Sequence, residues 1–279
     1  MTVKENRGYV YSSTELSRYY GISIKGMEFY EQKNLLHPER VGSGKTRRFN
    51  LRDCYQLAAA RMLRNCGFRI EETAALLEHN QPGFLLEELG ERARQIEEGL
   101  RLQEGVLRGI QRIQEGIRRV QEGDVAPRIA EHGACYRLFI RQFTGMHTST
   151  RRESDQLSEW NWLMPVTEAS LRFAKEELEN AGERINTEVG MIISEADFER
   201  FRLQETERVT RIPPGRAVWA IVSGPAEELD SRERLQKPLE FLSESGLHIA
   251  GDGFSRLIFV LQDRDGARMR YDEVWIPVQ

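Results

Sequence analysis

Cysteine and long apolar runs are scarce in this sequence of 279 residues. The three cysteines, Cys54, Cys66 and Cys135, lie far apart and form no CxxC pair, so we expect neither a disulfide framework nor a zinc site. No run approaches the ~18 apolar residues that a membrane span needs, and the N-terminal MTVKENRG lacks the apolar stretch of a signal peptide. These absences predict a cytoplasmic protein with no membrane partner.

Histidine is equally sparse, and its distribution argues against catalysis. The five histidines are isolated residues scattered along the chain: His37, His79, His132, His147 and His248. The sequence offers no recognisable set of nucleophile, base and orienting group. We therefore predict that the chain is not an enzyme and that it uses no cofactor.

The net charge of −4 conceals opposite charges in two parts of the chain. Residues 1–69 hold 13 basic and 6 acidic side chains, a net charge of +7, and the other 210 residues hold 27 basic and 38 acidic side chains, a net charge of −11. A basic N-terminal region on an acidic body favours an anionic partner for that region alone. Nucleic acid is the commonest such partner, although a solvated basic surface would give the same count.

The first 80 residues show helix, turn and hairpin signals in a fixed order. Ser12 or Ser13 can cap a short helix that ends at Gly21, and Ser23 can cap the next, so two helices meet across a turn of helix-turn-helix length. The basic, glycine-containing run HPERVGSGKTRRFN predicts a small β-hairpin, or wing. Two further helices are predicted in LRDCYQLAAARMLRNCGF and RIEETAALLEH.

One long helix is predicted from about residue 85 to residue 120. Its apolar residues recur at alternating spacings of three and four: Leu86, Leu89, Ala93, Ile96, Leu100, Leu107 and Ile110. A helix of this length cannot bury such a stripe alone, which favours a coiled coil between two subunits, although any amphipathic helix shows a stripe. Glycines at 99, 105, 109 and 116 each cost ~1 kcal/mol relative to alanine, so the coil is not maximally stable.

Residues 128–279 mix strands with helices. Five segments are rich in β-branched and aromatic residues and are predicted strands: YRLFIRQF, TEVGMIIS, RAVWAIVSG, FSRLIFVLQ and MRYDEVWIPV. Helices are predicted around residues 168–181 and 226–245. This order suggests two similar α+β halves.

The N-terminal pattern resembles the MerR family of transcription regulators. The resemblance rests on Tyr11-Ser12-x-x-Glu15-Leu16-Ser17, Gly21-Ile22-Ser23, Tyr30-Glu31, Leu35-Leu36-x-Pro38 and Arg47-Arg48-Phe49, and continues through Leu63-Arg64, Gly67-Phe68 and Leu76-Leu77. It implies a homodimer that binds palindromic double-stranded promoter DNA through two winged helix-turn-helix units and distorts the promoter for RNA polymerase. The predicted organisation is a multidomain α+β protein. It has a DNA-binding domain at 1–82, a coiled-coil dimerisation helix at 83–122 and an effector-binding domain at 128–279.

Eight residues are predicted DNA contacts: Arg18, Ser23, Lys25, Tyr30, Lys45, Arg47, Arg48 and Arg64. Ser23 stands at a helix N-terminus, where phosphates bind well, and the basic side chains supply further phosphate contacts. Family members usually carry arginine at the position of Glu28. That carboxylate would lose a phosphate contact and could accept from a cytosine amino group instead. Equally, Glu28 could point to solvent or pair with Lys25 or Arg18.

The C-terminal part resembles the GyrI-like ligand-binding domain. The run IPPGRAVWAIVSGP, a helix, FSRLIFVLQ and YDEVWIPV carry the resemblance, and Glu273-Val274-Trp275-Ile276-Pro277 is its most recognisable piece. It implies a small-molecule sensor. An alternative that the resemblance also implies is hydrolase activity, in which Glu273 would act as general base with Tyr136 or Tyr271 as its partner.

One face of the last predicted strand carries Tyr271, Glu273 and Trp275. A carboxylate between two aromatic rings suits a lipophilic cation, because the rings supply cation–π attraction and the acid supplies counter-charge. The predicted ligand-binding set adds two residues from neighbouring strands and two from a flap: Tyr136, Trp219, Trp160 and Trp162. Alternatively, Glu273 pairs with a neighbouring arginine, Arg256 or Arg270, and the aromatic rings are core.

Taken together, these patterns predict a homodimeric DNA-binding transcription regulator that activates by promoter distortion in response to a small lipophilic effector, with cationic charge favoured by Glu273. A DNA-binding regulator whose body has no ligand remains an alternative. DNA affinity without any response to a ligand would be its signature.

Overall fold

The computed structural model describes residues 10–42, 46–79, 81–143, 151–263 and 265–279, without the side chains of residues 151–154. The chain divides into two compact units, residues 1–98 and residues 99–279, which we name the head unit and the body unit. Helix α5, Pro82–Glu122, begins in the first and ends in the second. None of the helices within the described ranges combines the length and the apolar character that crossing a membrane requires.

The head unit is a winged helix-turn-helix followed by a helical pair, as predicted. Its helices are α1 Ser13–Tyr20, α2 Ile24–Gln32, α3 Leu51–Asn65 and α4 Ile70–Glu78, and its strands are β1 Tyr11–Ser12, β2 Glu39–Val41 and β3 Thr46–Phe49. The strands pair antiparallel in the order β1-β3-β2 and form the wing. The core beneath them is apolar and includes Leu16, Met27, Leu36, Phe49 and Leu57.

Local signals set the turn between α1 and α2. Ser12 caps α1 by accepting from the backbone N–H of Glu15, and the Glu15 carboxylate accepts from the N–H of Ser12 in return. Gly21 ends α1 in the left-handed conformation, with φ of +60°, which glycine adopts without a Cβ clash. Ser23 then caps α2 through the N–H of Gly26 at 3.0 Å. The capping residues therefore fix where each of the two helices begins.

The body unit contains an antiparallel eight-stranded sheet with the order β4-β9-β11-β10-β6-β7-β5-β8. Its strands are β4 Arg128–His132, β5 Cys135–Gln142, β6 Glu168–Phe173, β7 Thr187–Ser194, β8 Val209–Ile212, β9 Gly215–Pro225, β10 Gly253–Gln262 and β11 Arg268–Pro277. Its helices, besides α5, are α6 Arg151–Trp162, α7 Lys175–Glu179, α8 Glu195–Arg200 and α9 Gln236–Glu244, with a 3-10 turn at Arg232–Leu235.

The sheet consists of two halves with the same topology. In the first half, strand β5, helix α6 and strands β6 and β7 follow one another, and the strands lie in the order β5-β7-β6. In the second half, β9, α9, β10 and β11 repeat this sequence and lie in the order β9-β11-β10. The short edge strands β8 and β4 pair with β5 and β9 respectively. The predicted pair of similar halves is therefore present.

The helix predicted around residues 168–181 is wrong in its first part, and only α7, Lys175–Glu179, is helical there. Residues 168–173 form β6, which lies next to the junction of the two halves and pairs with β7 and β10. The segment EASLRF alternates polar and apolar side chains, and Leu171 and Phe173 are buried on one face. That alternation is the strand period, and it outweighs the helix propensity of the residues that follow.

Three glycines of α5 lie against the rest of the body unit. Gly105, Gly109 and Gly116 are the buried residues of this helix, and spacings of 4 and 11 put them on one helix face. A Cβ on Gly109 would lie 2.5 Å from the carbonyl oxygen of Pro165, and one on Gly105 would lie 2.8 Å from Val166 Cγ2. These glycines, which weakened the coiled-coil prediction, allow the helix to approach the body closely.

Candidate DNA-binding surface and effector cavity

Helix α2 presents a mixed polar and apolar surface to solvent. Lys25 and Ser23 are exposed, and Ile24 and Phe29 expose 48% and 44% of their surface. Gly26 lies where a Cβ would be 2.8 Å from Ile22 Cγ2, so the turn before α2 requires a residue without a side chain. The glycine therefore keeps α1 and α2 close and is no defect in the helix.

The wing and helix α2 are joined by ion pairs. Arg47 in β3 donates to Glu28 at 3.1 Å and to Glu31 at 2.8 Å, and Arg40 in β2 donates to Glu31 at 2.5 Å. The hydrogen bond to Glu31 raises the pKa of Arg47. Glu28 thus pairs with neither Lys25 nor Arg18. The partner is a wing arginine that was itself predicted to contact phosphate.

The other predicted DNA contacts differ in how accessible they are. Arg18 and Arg48 are exposed. Arg64 donates to the carbonyl oxygen of Phe68 at 2.5 Å, and it therefore also closes the turn after α3. Tyr30 is 7% exposed and packs in the head core, because its position on α2 faces inward; its contact with phosphate stays a prediction. Lys45 lies outside the described residues.

A cavity of about 500 Å³ lies in the body unit between α5 and the sheet. Its wall includes four arginines and three glutamates: Arg108, Arg112, Arg119 and Arg256, and Glu115, Glu168 and Glu273. The apolar side chains that complete the wall include Ile113, Leu257 and Ile258. The volume suits a small organic molecule, and the charged groups can orient it.

Glu168 and Glu273 are the two carboxylates that the sheet contributes to this cavity. Arg112 Nε lies 3.1 Å from Glu168, and an Arg256 nitrogen lies 4.0 Å from the same carboxylate. Burial raises the pKa of Glu168, against the opposing effect of both arginines. Glu273 accepts from the indole N–H of Trp219 at 3.3 Å, and it forms no ion pair within 4 Å among the side chains that the structure describes.

The ring of Trp219 lies under two guanidinium groups. Arg128 Cζ is 3.9 Å and Arg119 Cζ is 5.2 Å from the ring centroid. Arg128 is its direct neighbour in strand β4, whereas Arg119 comes from the end of α5. Only 2% of Trp219 is exposed.

Sequence comparison places the head unit in a known family. The pattern of the MerR HTH family regulatory proteins matches residues 11–80. The head unit is a MerR-type helix-turn-helix domain. The MerR domain is characteristic of DNA-binding transcription regulators, and this chain has the wing and the recognition helix that such binding uses.

Solved structures similar to this chain include three that cover different shares of it. EcmrR, in an EcmrR–DNA complex in EcmrR-RPo, is 15% identical, with 96% of this chain and 99% of that chain covered and a TM-score of 0.37. The N-terminal part of the Bacillus subtilis multidrug transporter activator MtaN is 19% identical, with 42% and 99% covered and a TM-score of 0.29. A hydrolase encoded by lin2189 from Listeria innocua is 12% identical, with 58% and 98% covered and a TM-score of 0.35. No curated protein sequence matches the chain.

The structure brings together three of the predicted ligand-binding residues. Trp219 lies directly opposite Trp275 across β9 and β11, their ring centroids are 6.4 Å apart, and Glu273 shares their face of the sheet. Tyr271 is on that face too, but it stacks on Phe259 and lines a different cavity, of about 700 Å³.

Tyr136 and Trp160 lie on the other face of the sheet from Glu273, in one apolar cluster. Tyr136 stacks on Phe198 at 3.9 Å and donates to Glu205, and Trp160 is fully buried beside it. Their prediction as ligand contacts of the Glu273 site is wrong. The strand register places Arg137, the neighbour of Tyr136 in β5, on the face of Glu273, so Tyr136 faces the other way. Trp160, on α6, packs in the cluster of Tyr136. The hydrolase pairing of Glu273 with Tyr136 fails for the same reason. Trp162 is 79% exposed at the end of α6, and the predicted flap with Trp160 is not formed.

Two features of the body escaped prediction. Asp272 is fully buried and is held by Arg234 at 3.2 Å, Arg270 at 2.7 Å and the hydroxyl of Ser255 at 3.1 Å. The predicted alternative that joined Arg270 to Glu273 is therefore wrong. A further cavity, of about 690 Å³, is lined by arginines that include Arg172 and Arg137, and burial lowers the pKa of Arg137 to about 10. The arginine content of the sequence alone did not distinguish these buried groups from surface charge.

Proposed function

We propose that this protein is a homodimeric transcription regulator whose MerR domain binds promoter DNA and whose body unit binds a small lipophilic effector. The observation that carries the effector site is Glu273. It lies on the wall of a 500 Å³ cavity, without an ion-pair partner among the described side chains. A partly buried carboxylate that forms no direct ion pair is a place where a cationic group of a ligand would be stabilised.

The repeated topology of the body supports a GyrI-like effector domain. Each half presents strand, helix, strand and strand in the same spatial order, and the strand with Glu273-Val274-Trp275-Ile276-Pro277 is central to the second half. The cavity wall is completed by α5, which continues from the MerR domain. A ligand in this cavity would therefore contact the helix that links the effector domain to the DNA-binding domain, and RNA polymerase at the promoter would respond to the change.

The exposed residues of α5 support the homodimer. Within the body unit, Leu100, Leu107 and Ile110 expose 58%, 54% and 44% of their surface, while the glycine face of the same helix is buried. Those positions follow the heptad spacing of the predicted coiled coil. We expect Leu107→Glu to convert the dimer to monomers in sedimentation equilibrium, because it buries a charge in the seam. Gln95→Glu, on another side of the helix, should leave the dimer intact.

The experiment that tests the function uses the full chain and a selected DNA site. Duplexes bound from a random-sequence pool would supply the operator, which is then placed in a promoter for transcription in vitro. Tetraphenylphosphonium serves as the cationic probe, triphenylphosphine oxide as a neutral analogue and tetraphenylborate as an anion of the same shape. We expect the cation to alter transcription with wild type and to bind at least tenfold more weakly to Glu273→Gln, because the counter-charge is lost.

Glu227→Gln, an exposed carboxylate elsewhere in the body unit, is the matched control and should behave as wild type. Cation binding of equal strength in wild type and Glu273→Gln would place the effector in another cavity. Promoter binding with no response to any of the three compounds would favour the ligand-independent regulator.

A further inference from the structure

The tryptophan ring that would recognise a cationic effector is already in contact with two cations of the protein itself. A tryptophan ring beside a carboxylate is the arrangement that attracts organic cations. Trp219 donates to Glu273, and its ring is covered by the guanidinium groups of Arg119 and Arg128. The ring has only 2% of its surface exposed, so an effector can reach it only if one of these groups leaves.

Arg119 is the group that an incoming ligand would meet. It lines the 500 Å³ cavity together with Glu273, whereas Arg128 is not part of that wall. Arg128 is also held more firmly, because Asp124 accepts two hydrogen bonds from it, at 2.6 and 3.3 Å. Arg119 is 5.2 Å from the ring, against 3.9 Å for Arg128, and its distance to Asp124 is 3.8 Å.

The charge of the cavity favours replacement of Arg119 by the effector cation over binding of the cation beside Arg119. Four arginines and three glutamates line it, which gives a formal charge of +1. Adding a cation beside all four arginines would raise this to +2 in a partly enclosed space. Replacing Arg119 by the ligand cation leaves the charge of the cavity unchanged, keeps a cation over the ring of Trp219 and places that cation beside Glu273.

We propose that Arg119 occupies the cation subsite of the effector domain and that a cationic effector displaces it from Trp219. This inference rests on the proposed function and specifies how the site is regulated. Arg119 belongs to the last turn of α5, where its Nε also donates to the Glu115 carboxylate at 3.0 Å. Its departure removes one of the contacts between the end of this helix and the Trp219 cluster, in which Val120 also packs, so we expect ligand binding to loosen the end of α5 from the sheet.

The test compares tetraphenylphosphonium binding by full-length wild type, Arg119→Gln and Arg118→Gln. Arg118 is the neighbouring exposed arginine and pairs with Glu115, so its substitution removes the same charge without uncovering Trp219. We expect Arg119→Gln to bind the cation about 2- to 30-fold more tightly than wild type, the range of a lost cation–π competitor. Arg118→Gln should match wild type, and tetraphenylborate should show no gain.

A second readout follows the helix itself. Amide hydrogen exchange at residues 117–124 should accelerate in wild type when tetraphenylphosphonium binds, and it should already be fast in ligand-free Arg119→Gln. Arg119→Lys keeps the charge but has a weaker ring contact, so its exchange rate should lie between those of wild type and Arg119→Gln. It replaces Arg119→Gln in the test if that variant folds poorly.

The outcomes separate the two proposals. Equal binding by wild type and Arg119→Gln, together with loss in Glu273→Gln, would overturn the displacement of Arg119 and leave the effector site standing. Weaker binding in Arg119→Gln would overturn it as well, since Arg119 would then be a ligand contact. Absence of cation binding in every variant would overturn both the displacement and the cationic effector.

Discussion

Arg47 of the wing donates to Glu28 of the recognition helix at 3.1 Å. If Arg47 contacts DNA phosphate as predicted, we expect Glu28 of α2 to compete for it, and the neighbouring Glu31 to add to the competition. The two carboxylates orient Arg47, and we expect them to neutralise part of any attraction of its charge for DNA. The sequence did not suggest this partner for Glu28, because it lies on a different element of the same domain.

Glu28→Gln is expected to increase DNA affinity. Removing the carboxylate frees Arg47 for a phosphate, so affinity for unrelated duplexes should rise about 3- to 10-fold at low salt. The slope of log affinity against log salt should steepen by up to about one, the value for one additional phosphate contact. Fluorescence anisotropy with a labelled duplex at several salt concentrations measures both quantities.

Glu39→Gln is the control for charge alone, since Glu39 is exposed in the wing strand β2. The gain of Glu28→Gln should largely disappear when Arg47→Gln is added. An undiminished gain in that double variant would show that Glu28 repels phosphate directly, without acting through Arg47.

Gly109→Ala is expected to destabilise the body unit even though alanine is the better helix former. The added Cβ would meet the backbone carbonyl of Pro165 at 2.5 Å, and a backbone atom cannot move aside as a flexible side chain can. Overpacking of this kind costs about 1–3 kcal/mol, against roughly 1 kcal/mol gained in helix propensity. All four tryptophans lie in the body unit, so urea unfolding followed by tryptophan fluorescence reports on this unit.

Gly99→Ala is the matched control on the same helix. Nothing lies within 4 Å of a Cβ at this position, so alanine should stabilise the helix by roughly 0.5–1 kcal/mol. If Gly109→Ala also stabilised the protein, the close contact between α5 and Pro165 would not exist in solution.

The sequence specified most of the fold because its signals were local. The caps at Ser12 and Ser23 and the alternating strand around Glu273 act over a few residues, and the corresponding elements are present. The site was harder to predict, because it depends on contacts between distant elements. The register that sets Trp219 opposite Trp275, and the placement of Arg119 over Trp219, depend on how β9, β11 and α5 pack.

Trp160 shows why composition alone misassigned a ligand residue. An aromatic residue near a proline suggested a flap, but the side chain fills the apolar core under the first half of the sheet. For the glycines of α5, composition alone missed a packing role. Their low helix propensity predicts only a loss of helix stability, whereas in the structure Gly105 and Gly109 allow the helix to pack closely on the body.

Asp272→Asn is expected to destabilise the body unit strongly. Its carboxylate is fully buried between Arg234 and Arg270, and burial already lowers the pKa of Arg234. Removing one partner of a buried ion pair leaves uncompensated charge and costs about 3–5 kcal/mol. Urea unfolding should therefore shift to lower concentration, whereas DNA binding by the head unit at low temperature should be retained. Glu227→Gln, which removes an exposed carboxylate, should leave the midpoint unchanged.

His132 is expected to make the stability of the body unit depend on pH. The ring packs edge-on against Phe254 and Trp275, at centroid distances of 5.1 and 5.7 Å, and burial lowers its pKa below the ordinary 6.5. In the unfolded chain His132 takes up a proton near pH 6.5, whereas in the folded protein it does so only at lower pH. Its contribution to stability is therefore complete above pH 6.5 and is lost as the pH falls through its lowered pKa.

The corresponding measurement is the free energy of unfolding of wild type, His132→Gln and His248→Gln between pH 8 and pH 5. Wild type and His248→Gln should lose stability in parallel as the pH falls, because His248 is exposed and serves as the control. His132→Gln should lose less over the same interval, since it cannot take up the proton. An identical pH dependence in all three proteins would mean that the loss comes from other groups and that His132 is as easily protonated in the folded protein as in the unfolded chain.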